Sequence, residues 1–341
     1  MKVAVIGAGH WGPNLVRNFD THKKTSVAWV IDQNQDRLEL VKPRFPTAQL
    51  SANADDALSD PEVQAVVVAT PTSTHYEIVE KALQRGKHVL VEKPITTDGE
   101  QARKLCELAE KQKLVLMVGH VFLFNPAVQK VKDYLKAGDL GRLHYVSMVR
   151  TNLGPVRMDV NAAWDLAAHD ISIVNYWLDA KPTTASAVGG NWINEGIEDA
   201  IFATLRYPND VLVNLHASWL NPRKARDITV VGDARMLTLD DMNVQEPIRI
   251  YDKQVTQDVT RPSFVDSHSG FRASIRNGAV TIPPISLGEP LKVECEAFID
   301  AVLSGATKCE SDGRFGLDVV HVLEAIDRSA KAGGREEKVT Q

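Results

Sequence analysis

A glycine-rich turn close to the N-terminus constrains this chain more than any other feature of its sequence. The apolar run Lys2 to Ile6 has the composition of a buried parallel strand, and a helical pattern follows the turn. In a strand–turn–helix context the glycines of G-x-G-x-x-G have separate roles, since Gly7 permits the tight turn, Gly9 lets the backbone approach a pyrophosphate, and Gly12 lets helix pack on strand. The helix N-terminus also attracts an anion. The turn therefore predicts a dinucleotide site contacted by Gly7, Gly9, His10, Trp11 and Gly12.

The type of dinucleotide is indicated by an acid at the end of the second strand. The apolar run Ser26 to Ile31 ends at Asp32, at the distance from the turn where a carboxylate accepts hydrogen bonds from an adenosine ribose. A carboxylate there repels a 2′-phosphate, and Gln33 rather than an arginine follows it. The sequence therefore predicts NAD rather than NADP, with Asp32 and Arg37 among the cofactor-binding residues.

Bulk composition excludes several other classes of protein. A length of 341 residues favours two domains, and a net charge of −5 gives no reason to expect a nucleic-acid partner. The three cysteines are scattered without a C-x-x-C pair, so we expect neither a disulfide framework nor a metal site. The longest apolar run, Leu114 to Phe124, is about half the length that spans a bilayer, and the first apolar run is the cofactor strand. We therefore expect a cytoplasmic protein with no membrane partner.

Two patterns of strand and helix divide the chain. Up to residue 120, apolar strands alternate with amphipathic helices, which predicts a Rossmann domain with a parallel sheet, of class α/β, over residues 1–120. Beyond it, strand-like alternation across short polar turns predicts antiparallel pairing, with one helix from Ala163 to Leu178. We expect residues 121–341 to form an α+β domain with a broad, mostly antiparallel sheet. Residues 252–288 have weak periodicity and several glycines and prolines, which predicts a long loop.

Ligands of doubly wound sheets lie beyond the carboxyl ends of the strands, where two loops carry polar residues. A hydroxyl-rich loop follows the strand that ends at Ala69, and the residues predicted to border the cofactor there are Thr70, Pro71, Thr72 and His75, of which His75 could simply cap a helix. The next strand delivers Glu92-Lys93-Pro94. Lys93 lies between a strand end and a proline, so its amine could hold a substrate hydroxyl and stabilise alkoxide charge. A surface salt bridge with Glu92 is an equal alternative on spacing alone, and the Lys93-Pro94 bond could be cis.

The second candidate for chemistry is the pair Asp165 and His169. Four residues apart on a predicted helix, they share a face, so His169 could act as a general base while Asp165 orients it or holds a substrate hydroxyl. For an isolated D-x-x-x-H, an ordinary carboxylate–imidazole pair is the commoner explanation. Asp170 points about 100° away around the helix and is expected to be structural.

Other polar residues are weaker candidates for substrate binding. Arg150, Asn152 and Arg157 precede the Asp165 helix and are plausible substrate contacts or solvated edge residues. A basic stretch in the predicted loop could meet a phosphorylated substrate or be an ordinary wet surface. Its members are Arg261, His268, Arg272 and Arg276.

Taken together, these motifs resemble the Gfo/Idh/MocA family of glucose-fructose oxidoreductases, inositol dehydrogenases and rhizopine-catabolism proteins, over nearly the whole chain. The residues that carry the resemblance are Gly7 to Gly12, Ala69-Thr70-Pro71 with His75, Gly86 to Pro94, and Asp165 with His169. The resemblance implies a Rossmann domain, a second domain whose large open sheet forms dimer or tetramer interfaces, and catalytic roles for Lys93, Asp165 and His169. The chain departs from the family at Ser172, where members often carry a second acid.

Within the family, the segments Asn152 to Pro155 and Asp159 to Asp165 look like those of members that act on nucleotide-linked sugars. This likeness implies oxidation of a ring hydroxyl, such as C3 of UDP-N-acetylglucosamine, with Glu92 and Lys93 near the cofactor and Lys93, Arg150, Asn152, Arg157, Asp165 and His169 near the substrate. Two alternatives stay open: the same chemistry on a free polyol or aldose, and a redox sensor that binds NAD without turnover.

Overall fold

The computed structural model of the protein describes residues 1–255 and 275–340. The chain divides into two compact units, one formed by Met1–Asn125 and Gly288–Glu324, the other by Pro126–Leu287 and Ala325–Gln341. Each unit is therefore discontinuous in sequence.

The segment Met1–Asn125 forms a parallel sheet covered by helices. The six strands lie in the order β3-β2-β1-β4-β5-β6, the doubly wound arrangement of a Rossmann domain, and all their pairings are parallel. The composition of β4 explains its central place in the sheet. Its valine-rich sequence is buried from Ala65 to Val68, as a central parallel strand requires. In chain order the elements are β1 (Lys2–Ile6), α1 (Gly12–Thr21), β2 (Ser26–Ile31), α2 (Gln35–Val41), β3 (Gln49–Ser51), α3 (Ala54–Ser59), β4 (Val63–Val68), α4 (His75–Gln84), β5 (His88–Glu92), α5 (Gly99–Gln112) and β6 (Leu116–Gly119).

The segment Pro126–Leu287 builds a sheet with one buried and one exposed face. Side chains alternate along its strands, so that in β9 Ile201, Ala203 and Leu205 are buried while Phe202 and Thr204 are exposed. In chain order the elements are α6 (Pro126–Lys136), β7 (Leu143–Leu153), a π-helical turn (Ala163–Ala167), α7 (Ala168–Leu178), β8 (Thr184–Gly190), β9 (Ala200–Arg206), β10 (Leu212–Ser218), β11 (Leu220–Gly232), β12 (Met236–Asp240), β13 (Ile248–Val255) and β14 (Ile275–Thr281).

The remaining residues divide between the two units. They form α8 (Pro290–Ser304), α9 (Gly313–Lys331) and the short strand β15 (Glu337–Lys338). Helix α8 packs Phe298 edge-to-face on Phe19 of α1, while the Ser311 carbonyl oxygen accepts from Val118 N of β6 and the Ser311 hydroxyl donates to Val118 O. These contacts explain why residues 288–324 belong to the first unit, which differs from a division into residues 1–120 and 121–341.

Within residues 1–255 and 275–340, the second sheet contains nine strands in the order β14-β13-β12-β11-β7-β10-β9-β8-β15. The pair β7–β10 is parallel and the other pairings are antiparallel, so the predicted fold class is confirmed.

The prediction of a loop over residues 252–288 is wrong for the end of β13 and for β14, because both segments are strands. Strand β13 buries Ile248 and Ile250, and it pairs with β14 although Asn277 and Gly278 disfavour a strand. Pairing with a neighbour therefore outweighed local propensity at this end of the sheet. Arg261, His268 and Arg272 of the predicted basic stretch lie outside the described residues, as does the side chain of Arg276.

Two kinds of feature are absent from residues 1–255 and 275–340. None of their helices combines the length and apolar character needed to cross a membrane. Nor does this part of the chain group three or more His, Cys, Asp or Glu side chains in a way that could bind a metal ion.

Candidate active site

The glycine turn between β1 and α1 has the geometry that its sequence predicts. Gly7 has a φ of +103°, and a Cβ there would lie 2.5 Å from the Ala69 carbonyl oxygen. A Cβ on Gly12 would lie 2.1 Å from the Gly7 carbonyl oxygen, whereas one on Gly9 would meet only the Arg37 guanidinium, at 3.8 Å. Gly7 and Gly12 are thus required by the fold, and Gly9 leaves space on the ligand side of the turn.

The start of α1 is open to a ligand. Trp11 precedes the helix, and no side chain caps it. Pro13 has no N–H and the Asn14 N–H donates to the Trp11 carbonyl oxygen, so the Gly12 N–H is the donor of the first turn that remains for water or an anion. His10 and Trp11 are exposed beside this turn, with their rings edge-to-face at 5.7 Å.

A cavity of about 400 Å³ lies beside the glycine turn. The ends of β1 and β2 and the loop after β4 line this cavity. Its lining includes Gly9, Asp32, Arg37, Thr70, Pro71 and Thr74. The open side of Gly9 and the Asp32 carboxylate in one cavity fit a dinucleotide such as NAD. Thr72 is buried in the turn Thr72–Thr74, next to this lining.

Asp32 is fixed by backbone donors at the edge of this cavity. Its Oδ2 accepts a hydrogen bond from Ala8 N at 2.7 Å, and its Oδ1 accepts one from Asn34 N at 2.8 Å. The guanidinium of Arg37 lies 3.4 Å from Oδ2 and is half exposed. No arginine directly follows Asp32 in the sequence, but the fold places Arg37 beside its carboxylate.

His75 braces two loops of the first unit. It is buried, and its Nδ1 and Nε2 lie 2.9 Å from the carbonyl oxygens of Pro94 and Thr70, respectively. These contacts tie the loop after β4, which is predicted to border the cofactor, to the loop after β5.

Lys93 follows Glu92 at the end of β5, and both are partly buried. The Lys93-Pro94 peptide bond is cis, as the sequence allowed. Burial raises the pKa of Glu92 to about 7, and the neighbouring Lys93 ammonium opposes that rise. Across the sheet, Glu92 pairs with Gly119 of β6, whose lack of a side chain leaves room for the carboxylate.

Asp165 and His169 lie on one continuous helical segment of the second unit. The predicted helix from residue 163 begins as a π-helical turn, in which Ala168 N donates to Ala163 O, before α7 continues it. Such turns are frequent at functional sites. Asp165 Oδ1 accepts a hydrogen bond from Arg157 Nη1, and Oδ2 accepts one from Trp219 Nε1, both at 3.1 Å.

Two residues predicted to bind substrate have hydrogen-bond partners within the second unit. The Arg150 guanidinium is buried against Asp170, with Nε and Nη2 at 2.9 and 2.7 Å from Oδ1. Burial raises the pKa of Asp170, and Arg150 opposes the rise. Asn152 donates to the carbonyl oxygen of Gly154. Asp170 is structural, as predicted.

Arg157, the third of these residues, contacts both Asp159 and Asp165 and is partly exposed. At the position that departs from the family pattern, the Ser172 hydroxyl donates to the His169 carbonyl oxygen at 2.7 Å.

Sequence reasoning missed one residue beside Asp165 in the second unit and two residues of the first unit. Trp219, the single residue between β10 and β11, donates to Asp165, while His120 follows β6 and Glu294 lies on α8. No spacing rule links them to the motifs, although a glutamate within an apolar helical stripe was a signal that could have been noticed.

The fold and these residues define an oxidoreductase that binds a nicotinamide dinucleotide. Residues 1–120 match the family model described as "Oxidoreductase family, NAD-binding Rossmann fold", and residues 128–238 match the GFO/IDH/MocA C-terminal domain. The chain therefore belongs to the Gfo/Idh/MocA family of NAD-binding oxidoreductases.

The chain is similar in sequence and structure to several individual members of known function or structure. UDP-N-acetylglucosamine 3-dehydrogenase of Acidithiobacillus ferrooxidans is 32% identical over 252 residues, which are 71% of this chain and 75% of that protein. Its solved structure matches with a TM-score of 0.81 at 27% identity, covering 97% of this chain and 98% of that chain. The scyllo-inositol 2-dehydrogenase (NAD(+)) of Bacillus subtilis is 29% identical over 195 residues, 55% of this chain and 57% of that protein. GenD2 from gentamicin A biosynthesis, in complex with NAD, shares the fold at 24% identity and a TM-score of 0.81, covering 100% of this chain and 97% of that chain.

Proposed function

We propose that this protein is an NAD-dependent dehydrogenase that oxidises a ring hydroxyl of a nucleotide sugar, at C3 of UDP-N-acetylglucosamine. The observation that carries the proposal is the 32% identity to an enzyme named for that reaction, in a chain that has Lys93, Asp165 and His169 together. A protein that only bound NAD would need none of the three.

The catalytic groups have separate roles in this reaction. Oxidation of a hydroxyl removes a hydride from carbon and a proton from oxygen, and NAD when bound supplies the hydride acceptor. Lys93 holds the reacting oxygen and stabilises its negative charge, His169 accepts the proton, and Asp165 orients the substrate or the imidazole. Trp219 and Arg157 hold Asp165 by one hydrogen bond each, so its carboxylate is fixed before substrate arrives.

Formation of NADH with UDP-N-acetylglucosamine tests the proposal directly. In Lys93→Met and His169→Asn, kcat should fall about 10²–10⁴-fold, the range expected for a lost acid–base group. Lys81→Met is the matched control, because it removes an exposed lysine of the same unit that pairs with Glu77 on α4. NAD binding by calorimetry should persist in all three variants. Wild-type protein that binds NAD but oxidises no sugar would contradict the proposal and favour a redox sensor.

A free polyol is the second candidate substrate, favoured by the 29% identity to scyllo-inositol 2-dehydrogenase. The two candidates are separated by calorimetry on the NAD-loaded protein. We expect heat of binding with UDP-N-acetylglucosamine and none with inositol or glucose, and the reverse result would replace the proposed substrate.

We also propose that the protein self-associates as a homodimer or homotetramer through the exposed face of its nine-stranded sheet. Neighbouring strands bring large apolar side chains together there: Phe202 is paired with both Val188 and His216, and Leu212 is paired with Tyr145. The Phe202 and His216 rings stack at 4.4 Å. An exposed apolar patch of this kind favours an interface, and a second copy of the chain is the occupant that the family resemblance implies.

A further inference from the structure

An acidic side chain occupies a core position on α8. The buried face of this helix is otherwise lined by Leu291, Cys295, Phe298 and Ile299, and Glu294 lies among them with 1% of its surface exposed. Burial of a carboxyl group costs free energy that an apolar side chain would not cost. Glu294 therefore stabilises the fold less than a leucine would, which points to another role.

The surroundings of Glu294 leave part of it unsatisfied. Its Oε1 has no hydrogen-bond partner within the described residues. Burial raises the pKa of Glu294 well above its usual range, and the negative charge of Glu92 raises it further. The neighbouring thiol of Cys295 has its pKa raised by burial and by the charges of Glu294, Glu92 and Glu289, while the charge of Arg17 opposes this rise. Both effects favour the protonated, uncharged form of the Glu294 carboxyl group.

His120 is the second unsatisfied group near Lys93. It is 1% exposed, and in the described part of the chain neither of its ring nitrogens has a partner. Burial, aided by the charge of Lys93, lowers the pKa of His120 to about 3, so the imidazole is neutral. His120 directly follows Gly119, which is paired with Glu92 across the sheet.

Donors and acceptors in this cluster complement one another. A protonated Glu294 has an O–H to donate, a Glu92 carboxylate can only accept, and a neutral His120 has one donor and one acceptor. An internal water molecule between such groups would satisfy the unpaired atoms.

We propose that Glu294 is a positioning residue for Lys93, because its O–H donates a hydrogen bond to the Glu92 carboxylate, directly or through an internal water, and so keeps the counter-charge of Lys93 ionised. The proposal rests on the function proposed above, in which Lys93 contacts the reacting oxygen. Glu294 itself touches neither substrate nor cofactor.

Glu294→Leu tests the proposal, because it removes the donor and fills the space with an apolar group. A lost hydrogen bond to the ionised form raises the pKa of Glu92, so the acidic limb of kcat against pH should move up by about one unit. Glu294→Gln keeps an N–H donor and should restore the wild-type limb. Carbon-13 NMR titration of the Glu92 carboxyl in NAD-free protein, assigned with Glu92→Gln, should show the same shift without any turnover.

The NMR titration separates this proposal from the proposed function, since it needs no substrate. Phe298→Leu is the matched control: it changes packing on the same helix face and should lower Tm while leaving the titration of Glu92 unchanged. An unshifted Glu92 titration in Glu294→Leu, or a glutamine variant that shifts as far as the leucine variant, would overturn the proposal. If the leucine variant does not fold, Glu294→Met makes the same test with an unbranched side chain.

Discussion

At the scale of single residues, Asp32 and Arg37 together set the chemistry of the cofactor cavity. The Asp32 carboxylate has two backbone donors and a guanidinium at 3.4 Å, so it is held as an acceptor facing the cavity. A ribose hydroxyl satisfies it, whereas a phosphate would be repelled by it. Arg37 would be a phosphate partner if the carboxylate were absent.

Asp32→Ser should therefore move the preference from NAD toward NADP. The change removes the repulsion and frees the half-exposed Arg37, and we expect the ratio of kcat/KM values to shift by about tenfold to 100-fold, as for one charged hydrogen bond. Steady-state kinetics with both dinucleotides measures this ratio. Adding Arg37→Ala to the Asp32→Ser variant should cancel the gain in NADP, and an unchanged ratio in the double variant would show that Arg37 binds no phosphate.

At the scale of elements, the π-helical turn Ala163–Ala167 shows what spacing can and cannot predict. Asp165 and His169, four residues apart, were expected to share a helical face, and the structure places them on one continuous helical segment. Periodicity does not distinguish a π turn from an α turn. Trp219, whose indole fixes Asp165, is fifty-four residues away in sequence, so only the tertiary fold reveals it.

Trp219→Phe should lower kcat while leaving the fold intact. An aromatic ring is kept, but the hydrogen bond to Asp165 Oδ2 is lost, and we expect kcat to fall about tenfold to 100-fold, since such a bond to a charged group contributes about 1.5–3 kcal/mol. Trp177→Phe is the control, because the Trp177 indole donates to the Val128 carbonyl oxygen at 2.9 Å. The control should lose stability in thermal melts without losing kcat. Equal kcat losses in both variants would mean that the Asp165 bond has no special role.

Helices and strands were predictable from sequence where their burial requires a clear pattern of apolar residues. The central strands β1, β2, β4 and β5 and most helices were predicted, because parallel strands buried on both faces read as apolar runs. The short edge strand β3 and the pair β13 and β14 were missed, since their sequences carry polar residues and glycine and their pairing depends on a neighbour. Likewise, the motifs predicted Lys93 and Asp165, whereas the actual partners of Arg150 and His75 depend on packing that no motif encodes.

At the scale of the whole molecule, the exposed face of the nine-stranded sheet is the feature that bears on assembly. Phe202→Asp places a charge in the centre of its apolar residues and should convert an oligomer to monomers in size-exclusion chromatography with light scattering, because burying an unpaired charge is costly. Leu40→Asp is the matched control, since Leu40 is an exposed apolar residue on α2 of the first unit. The control should keep the wild-type mass. A Phe202→Asp protein of unchanged mass would show that the interface lies elsewhere.

The return of α8 to the first unit has a consequence for how the protein is made. Phe19 and β6 are contacted by residues 288–324, so the nucleotide-binding unit lacks one of its helices until about 170 residues beyond its first segment have been synthesised. On the ribosome the first half of the chain emerges with apolar surface that its own sequence cannot yet bury. Maturation of the cofactor unit is therefore coupled to synthesis of residues 288–324, and a product truncated before them would still expose that apolar surface.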